Sequence, residues 1–120
     1  MRVQITRDSV CAADDVDPRA NARQFVVEDG IVDQLVQRVW RAAELPTIAG
    51  GRATWCISSA IPLAVVAQQW AAPKLIGCIP PQIGELDVRD GTIYFHLSYF
   101  AQEDPELVYN ILCRLTLRSR

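Results

Sequence analysis

Residues 9 to 17 read SVCAADDVD: Cys11 is followed within six residues by Asp14, Asp15 and Asp17, with no base among them. Three carboxylates on one loop are the raw material of a calcium site, which takes several oxygens from a bent chain. An EF-hand loop also requires alternating ligands, a central glycine and a distal glutamate. Val16 and Pro18 stand where that pattern must continue. Phosphoryl transfer requires a glycine-rich cradle or a metal clamp, and the sequence carries neither. Two readings stay open. The loop is either a solvated turn whose aspartates cap nearby amides, or a negative lip that attracts an arginine- or lysine-rich partner.

Nucleophilic chemistry has one candidate set: Cys11 with His96, the only histidine. A thiolate needs a base within hydrogen-bond reach and donors for the oxyanion. The acidic surroundings of Cys11 hold its thiol protonated, which disfavours that role. Ser58 and Ser59 lack the G-x-S-x-G elbow of a serine hydrolase. Cys11, Cys56, Cys78 and Cys113 are widely spaced and form no C-x-x-C pair. A structural zinc site, which draws on clustered Cys and His, is not expected, and no other metal or cofactor is called for. The expected state is four free thiols that serve mainly as small apolar side chains.

The elements that must position these groups follow from periodicity and turn chemistry. RVQIT alternates as a half-buried strand, and RQFVVE, 23 to 28, reads as a second. Asp29 and Gly30 then open a helix, IVDQLVQRVWRAA. Its Ile31, Leu35, Val36, Val39 and Trp40 recur on one face. ATWCIS and PLAVVAQQW read as strands joined tightly at Ser59-Ala60. A short buried strand is expected near Leu75 to Ile79, before the break at Pro80-Pro81. Asp90-Gly91 between ELDVR and TIYFHLSYF is a strong hairpin signal, because both turn residues must accept positive φ. Asp104 caps a last helix with Pro105 at its first position. Leu107, Val108, Ile111, Leu112 and Leu115 are expected to form its buried stripe.

The order β-β-α-β-β-β-β-β-α predicts one α+β domain over residues 1–120. The expected architecture is an antiparallel or mixed β-sheet with two helices packed on it. The opening strand–strand–helix–strand order is that of a β-grasp. Half the 120 residues are apolar, enough for a core. Net charge is −2, and eleven scattered arginines with the single lysine Lys74 make no basic stripe, so a general nucleic-acid binder is not expected. No apolar run reaches membrane-span length and no signal-peptide core follows Arg2, which predicts a cytoplasmic protein. Trp40, Trp55, Phe95 and Tyr99 are expected in the core. Trp70, beside Gln68, Gln69 and Lys74, has the makings of an interface patch.

VQITRDSVCAADDVD, RQFVVEDGIVDQLV, ELPTIAGGRATW and PLAVVAQQWAAPKLI together resemble a group of small bacterial proteins of toxin–immunity loci, including contact-dependent inhibition systems. The similarity spans about residues 3 to 76. It implies a cytosolic immunity protein, not an enzyme, that binds the toxic C-terminal domain of an effector and occludes its active site or substrate groove. Toxin domains of such systems are often nucleases with basic grooves. Asp14, Asp15 and Asp17, with Glu28 and Asp29 if the first two strands pair, are the acids that could face such a groove, and Trp70 is the aromatic anchor. The competing expectations are a small cysteine enzyme built on Cys11 and His96, and a ubiquitin-like adaptor module. A sulfur carrier of that type ends in Gly-Gly, whereas this chain ends in Leu-Arg-Ser-Arg.

Overall fold

The computed structural model describes residues 1–8, 23–28, 31–48, 50–77 and 81–119, with side chains as far as Thr116. Seven strands and two helices occur in the expected order. They are β1 (Arg2–Arg7), β2 (Arg23–Val26), α1 (Val32–Ala43), β3 (Thr54–Ser59), β4 (Ile61–Ala67), β5 (Lys74–Leu75), β6 (Val88–Arg89), β7 (Thr92–Tyr99) and α2 (Pro105–Ser119). The fold is α+β: one open, mixed sheet of order β2-β1-β7-β3-β4-β5, with β6 paired to β7 off that path. β1 and β2 are antiparallel, α1 follows, and β1 then lies parallel to β7 from Arg2↔Thr92 to Arg7↔Leu97. The N-terminal part therefore keeps the strand–strand–helix–strand order of a β-grasp. Among the described residues no helix is long and apolar enough to cross a membrane.

Alternation decides which side chains meet α1. Val3 and Ile5 on β1, Trp55 and Ile57 on β3, Ala64 and Val66 on β4, and Ile93, Phe95 and Leu97 on β7 share one face. Against it α1 buries Val32, Leu35, Val36, Val39 and Ala43. Each such aliphatic side chain contributes about 1.5–3 kcal/mol through water exclusion. Asp33 in the first turn and Arg41 in the last complement the helix dipole, while Ile31 stands at the N-cap without a side-chain bond. Glu44 ends the helix in the left-handed region, φ 47°. The Asp90-Gly91 hairpin is present, both residues at positive φ, 50° and 75°. Gly91 O also accepts from Arg2 N at 3.1 Å, which seats the first strand beside the turn.

Several boundaries differ from expectation. β4 stops at Ala67, and residues 68–70 turn away, Trp70 N donating to Ala67 O at 2.9 Å. The ELDVR strand shrinks to Val88–Arg89 because Ile83–Glu85 forms a 3₁₀ turn, locked when Gln82 N donates to Glu85 Oε2 at 2.7 Å. Only residues 74 and 75 pair as the short strand. Residues 78–80, including Cys78 and Pro80, lie outside the described residues.

The larger departure is α2. Asp104 does cap it, Oδ1 accepting from Glu106 N at 3.0 Å. The helix lies on the sheet face opposite α1, over β4 and the segment after β5. There Val108, Tyr109, Leu112 and Cys113 pack around Val65 and Ile76. Of the expected stripe, Val108 is buried and Leu112 half-buried, but Leu107, Ile111 and Leu115 face solvent. At 100° per residue, positions 107, 111 and 115 form a second apolar row beside 108 and 112, and the sheet holds only one of the two.

Phe95, 1% exposed, sits in the middle of the core on the central strand. Phe95→Ala should remove about 3–5 kcal/mol of unfolding free energy, read as a lower urea midpoint at unchanged slope. A loss below about 1 kcal/mol contradicts this placement of the core.

Candidate functional site on the open sheet face

Among the described residues α2 covers one end of its sheet face and the β1–β7–β3 portion is left open. The side chains there are the polar phase of each strand: Gln4 and Thr6 on β1, Ser58 on β3, Tyr94, His96 and Ser98 on β7, none of them fully buried. All but Ser98 line a shallow groove of about 360 Å³ whose far wall is Asp87 and Arg89. The register builds it, since His96 pairs with Thr6 on one side and with Ser58 on the other.

His96 is held at both ring nitrogens. Nδ1 lies 2.7 Å from Thr6 Oγ1, and Nε2 lies 2.8 Å from Asp8 Oδ1. The other carboxylate oxygen of Asp8 accepts from Tyr99 N at 2.9 Å, and Ser58 Oγ donates to His96 O at 3.4 Å. Across the groove the Arg89 guanidinium lies 3.9 Å from the Tyr94 ring centroid. It is forked onto Asp87, with Nε donating to Oδ1 at 3.1 Å and Nη2 to Oδ2 at 3.3 Å. Asp87 is itself tied down, its N–H donating to Ser59 Oγ at 3.0 Å. An arginine fixed by a carboxylate and an aromatic face loses little further freedom when it meets a partner.

Hydroxyl, imidazole and carboxylate in a row is the atom order of an activated hydroxyl nucleophile. Such chemistry also needs converging donors for an oxyanion. The backbone on both sides of Thr6 is engaged in the β1–β7 ladder. The cluster's evident work is to clasp β1 to β7 where the chain leaves the sheet. Cys11 lies outside the described residues.

Asp14, Asp15, Asp17 and Asp29 also lie outside the described residues. Glu28 is exposed just beyond β2. Trp70 is half-buried in the turn after β4, beside the start of α2. Its ring centroid is 5.7 Å from Lys74 Nζ, which sits 4.4 Å from the Tyr109 ring and bonds Glu106 at 3.1 and 3.4 Å. β2 and β4 are four strand spacings apart, roughly 19 Å, so Glu28 and Trp70 do not share one patch. Gln68 turns inward, Oε1 accepting from Ile48 N at 3.1 Å. Trp40 and Trp70, both half-buried, and the fully buried Trp55 line a cleft of about 180 Å³ with Leu45 and Pro46. Strand alternation alone places Tyr94 and His96 on the polar face. Thr6, Asp8 and Arg89 join them only through strand pairings that local pattern does not reveal.

Cys56 is buried on β3, and desolvation pushes its thiol from the ordinary 9.0 up to about 12. The thiolate is disfavoured in the fold, so this contribution to stability holds below pH 9 and is lost as pH rises towards 12. Cys56 should resist iodoacetamide at pH 8 until urea unfolds the chain; alkylation at the free-cysteine rate in the native state contradicts its burial. Asp8→Ala should cost about 1–2 kcal/mol by stranding Tyr99 N–H and His96, seen as a lower urea midpoint. No change would mean that the clasp contributes nothing. Compared with protein-family models, curated proteins and solved structures, the chain matches none.

Proposed function

We propose that this chain is a cytosolic immunity protein that binds the toxic C-terminal domain of a contact-dependent inhibition or related bacterial toxin. It makes and breaks no bond itself. The observation that supports the reading is the open sheet face, a rigid surface offering a stacked, carboxylate-fixed Arg89–Tyr94 pair. Arginine and tyrosine are enriched among residues that dominate binding energy, and preorganisation lowers the cost of docking them. In sequence the acidic loop follows Asp8 directly, so the groove's clasp is continuous with Asp14, Asp15 and Asp17. A nuclease toxin carries a basic substrate groove. Carboxylates from that loop then speed encounter, and the sheet face supplies the lasting contact.

Co-expression with the toxin domain encoded beside the gene should yield a co-purifying complex of nanomolar affinity and abolish toxicity. Tyr94→Ala with Arg89→Ala should weaken it at least tenfold, mainly through faster dissociation. Changing Asp14, Asp15 and Asp17 together to Asn should slow association and flatten its salt dependence. Failure to co-purify overturns the reading. Association rates unchanged across a salt series remove the acidic loop from it.

A further inference from the structure

All three tryptophans of the chain meet at one cleft, although they come from separate elements: Trp40 from α1, Trp55 from β3 and Trp70 from the turn after β4. The sheet wall of the cleft, Trp55 and Val66, belongs to the α1 face, opposite the His96 groove. Among the described residues none of the three indole N–H groups has a hydrogen-bond partner. Trp55 is 1% exposed, yet the one sealed side-chain polar atom without a partner among the described residues is Thr116 Oγ1. The Trp55 N–H is therefore open, and the cleft is the opening that its ring borders. Gln68 adds a donor, since its Oε1 accepts from Ile48 N at 3.1 Å and its amide N–H₂ group remains. The side chains of the cleft thus present N–H donors, and no carboxylate lines it.

We propose that this cleft binds a small molecule built on one aromatic ring that carries a hydrogen-bond acceptor, such as an aryl ketone. Its volume, about 180 Å³, matches a single ring, because an apolar cavity of about 150 Å³ takes benzene. Larger cofactors need pockets of about 300 Å³ or more. Indole walls favour an offset or edge-on ring. The donors then orient it, and an acceptor on the ring answers the N–H that folding leaves unpaired on Trp55. A quaternary ammonium is the usual guest of an aromatic cage. It is disfavoured here, because no carboxylate lines the cleft and Lys74 Nζ already lies 5.7 Å from the Trp70 ring centroid. Nothing in this inference relies on the toxin-binding reading, because the cleft and the groove lie on opposite faces of the sheet.

The indole N–H resonances of the isotope-labelled full chain read the site directly. Acetophenone should shift them saturably, at millimolar concentration or below, with nuclear Overhauser contacts from its ring protons to Trp55 and Trp70. Ethylbenzene keeps the ring without the acceptor, and cyclohexyl methyl ketone keeps the acceptor without the aromatic ring. Each should bind about tenfold more weakly. Trp70→Leu should weaken acetophenone binding by about tenfold while amide signals away from the cleft stay in place. The Overhauser contacts need no variant, so they decide the matter even where Trp70→Leu fails to fold. Absence of a saturable shift, shifts confined to the His96 groove, or ethylbenzene binding as tightly as acetophenone overturns the proposal. So does a toxin fragment that moves the indole signals when acetophenone does not, because the cleft then holds a side chain of that partner.

Discussion

The parallel pairing of β1 with β7 is the constraint from which the remaining structure follows. It joins residues about ninety positions apart in sequence and sets the last strand inside the sheet, between the first strand and β3. Because β1 and β7 run side by side, Val3, Ile5, Ile93, Phe95 and Leu97 form one apolar floor for α1. The same register turns Gln4, Thr6, Tyr94 and His96 to the other side. One pairing therefore creates the core and the open face together. A slip of one residue would exchange them and bury His96 where Phe95 belongs. The Thr6–His96–Asp8 clasp and the Gly91 bond to Arg2 close the two ends of the pair and help hold that register.

Much of the architecture was legible locally. The strand–strand–helix–strand opening, the Asp90-Gly91 turn and the Asp104 cap are each encoded within a few residues by backbone chemistry. The two faces of β7 could be read from its alternation. What escaped reading was non-local or ambiguous. No pattern within RVQIT reveals that its neighbour is TIYFHLSY, so Thr6 and Asp8 could not be assigned to His96. In α2 two apolar rows stand side by side, and periodicity cannot choose between them. The choice is made by the strip around Val65 and Ile76, which takes Val108 and Leu112 with Tyr109 and Cys113 beside them and leaves Leu107, Ile111 and Leu115 outside. Trp70 was misplaced on a strand end because PLAVVAQQW shows no break before its two glutamines, yet the ladder stops at Ala67.

The proposed function follows the same division. One sheet face is spent on stability against α1, and the other is polar and, among the described residues, only partly covered. Its fixed arginine, stacked tyrosine and clasped histidine form a surface whose shape exists before any partner arrives. In the proposed function the carboxylates of Asp14, Asp15 and Asp17 supply a long-range attraction, which acts on encounter more than on the lifetime of a complex. An inhibitor of a basic enzyme needs both: rapid capture, then a slow release governed by well-packed contacts.

The most direct test of this account is an amide chemical-shift map of the labelled protein titrated with the toxin domain that the proposed function assigns as its partner. The account requires the largest changes at Thr6, Arg89, Tyr94 and His96, while amides of the α1-facing core stay in place. Changes confined to the β2 edge or to the Trp70 turn, with the groove amides unmoved, would contradict it.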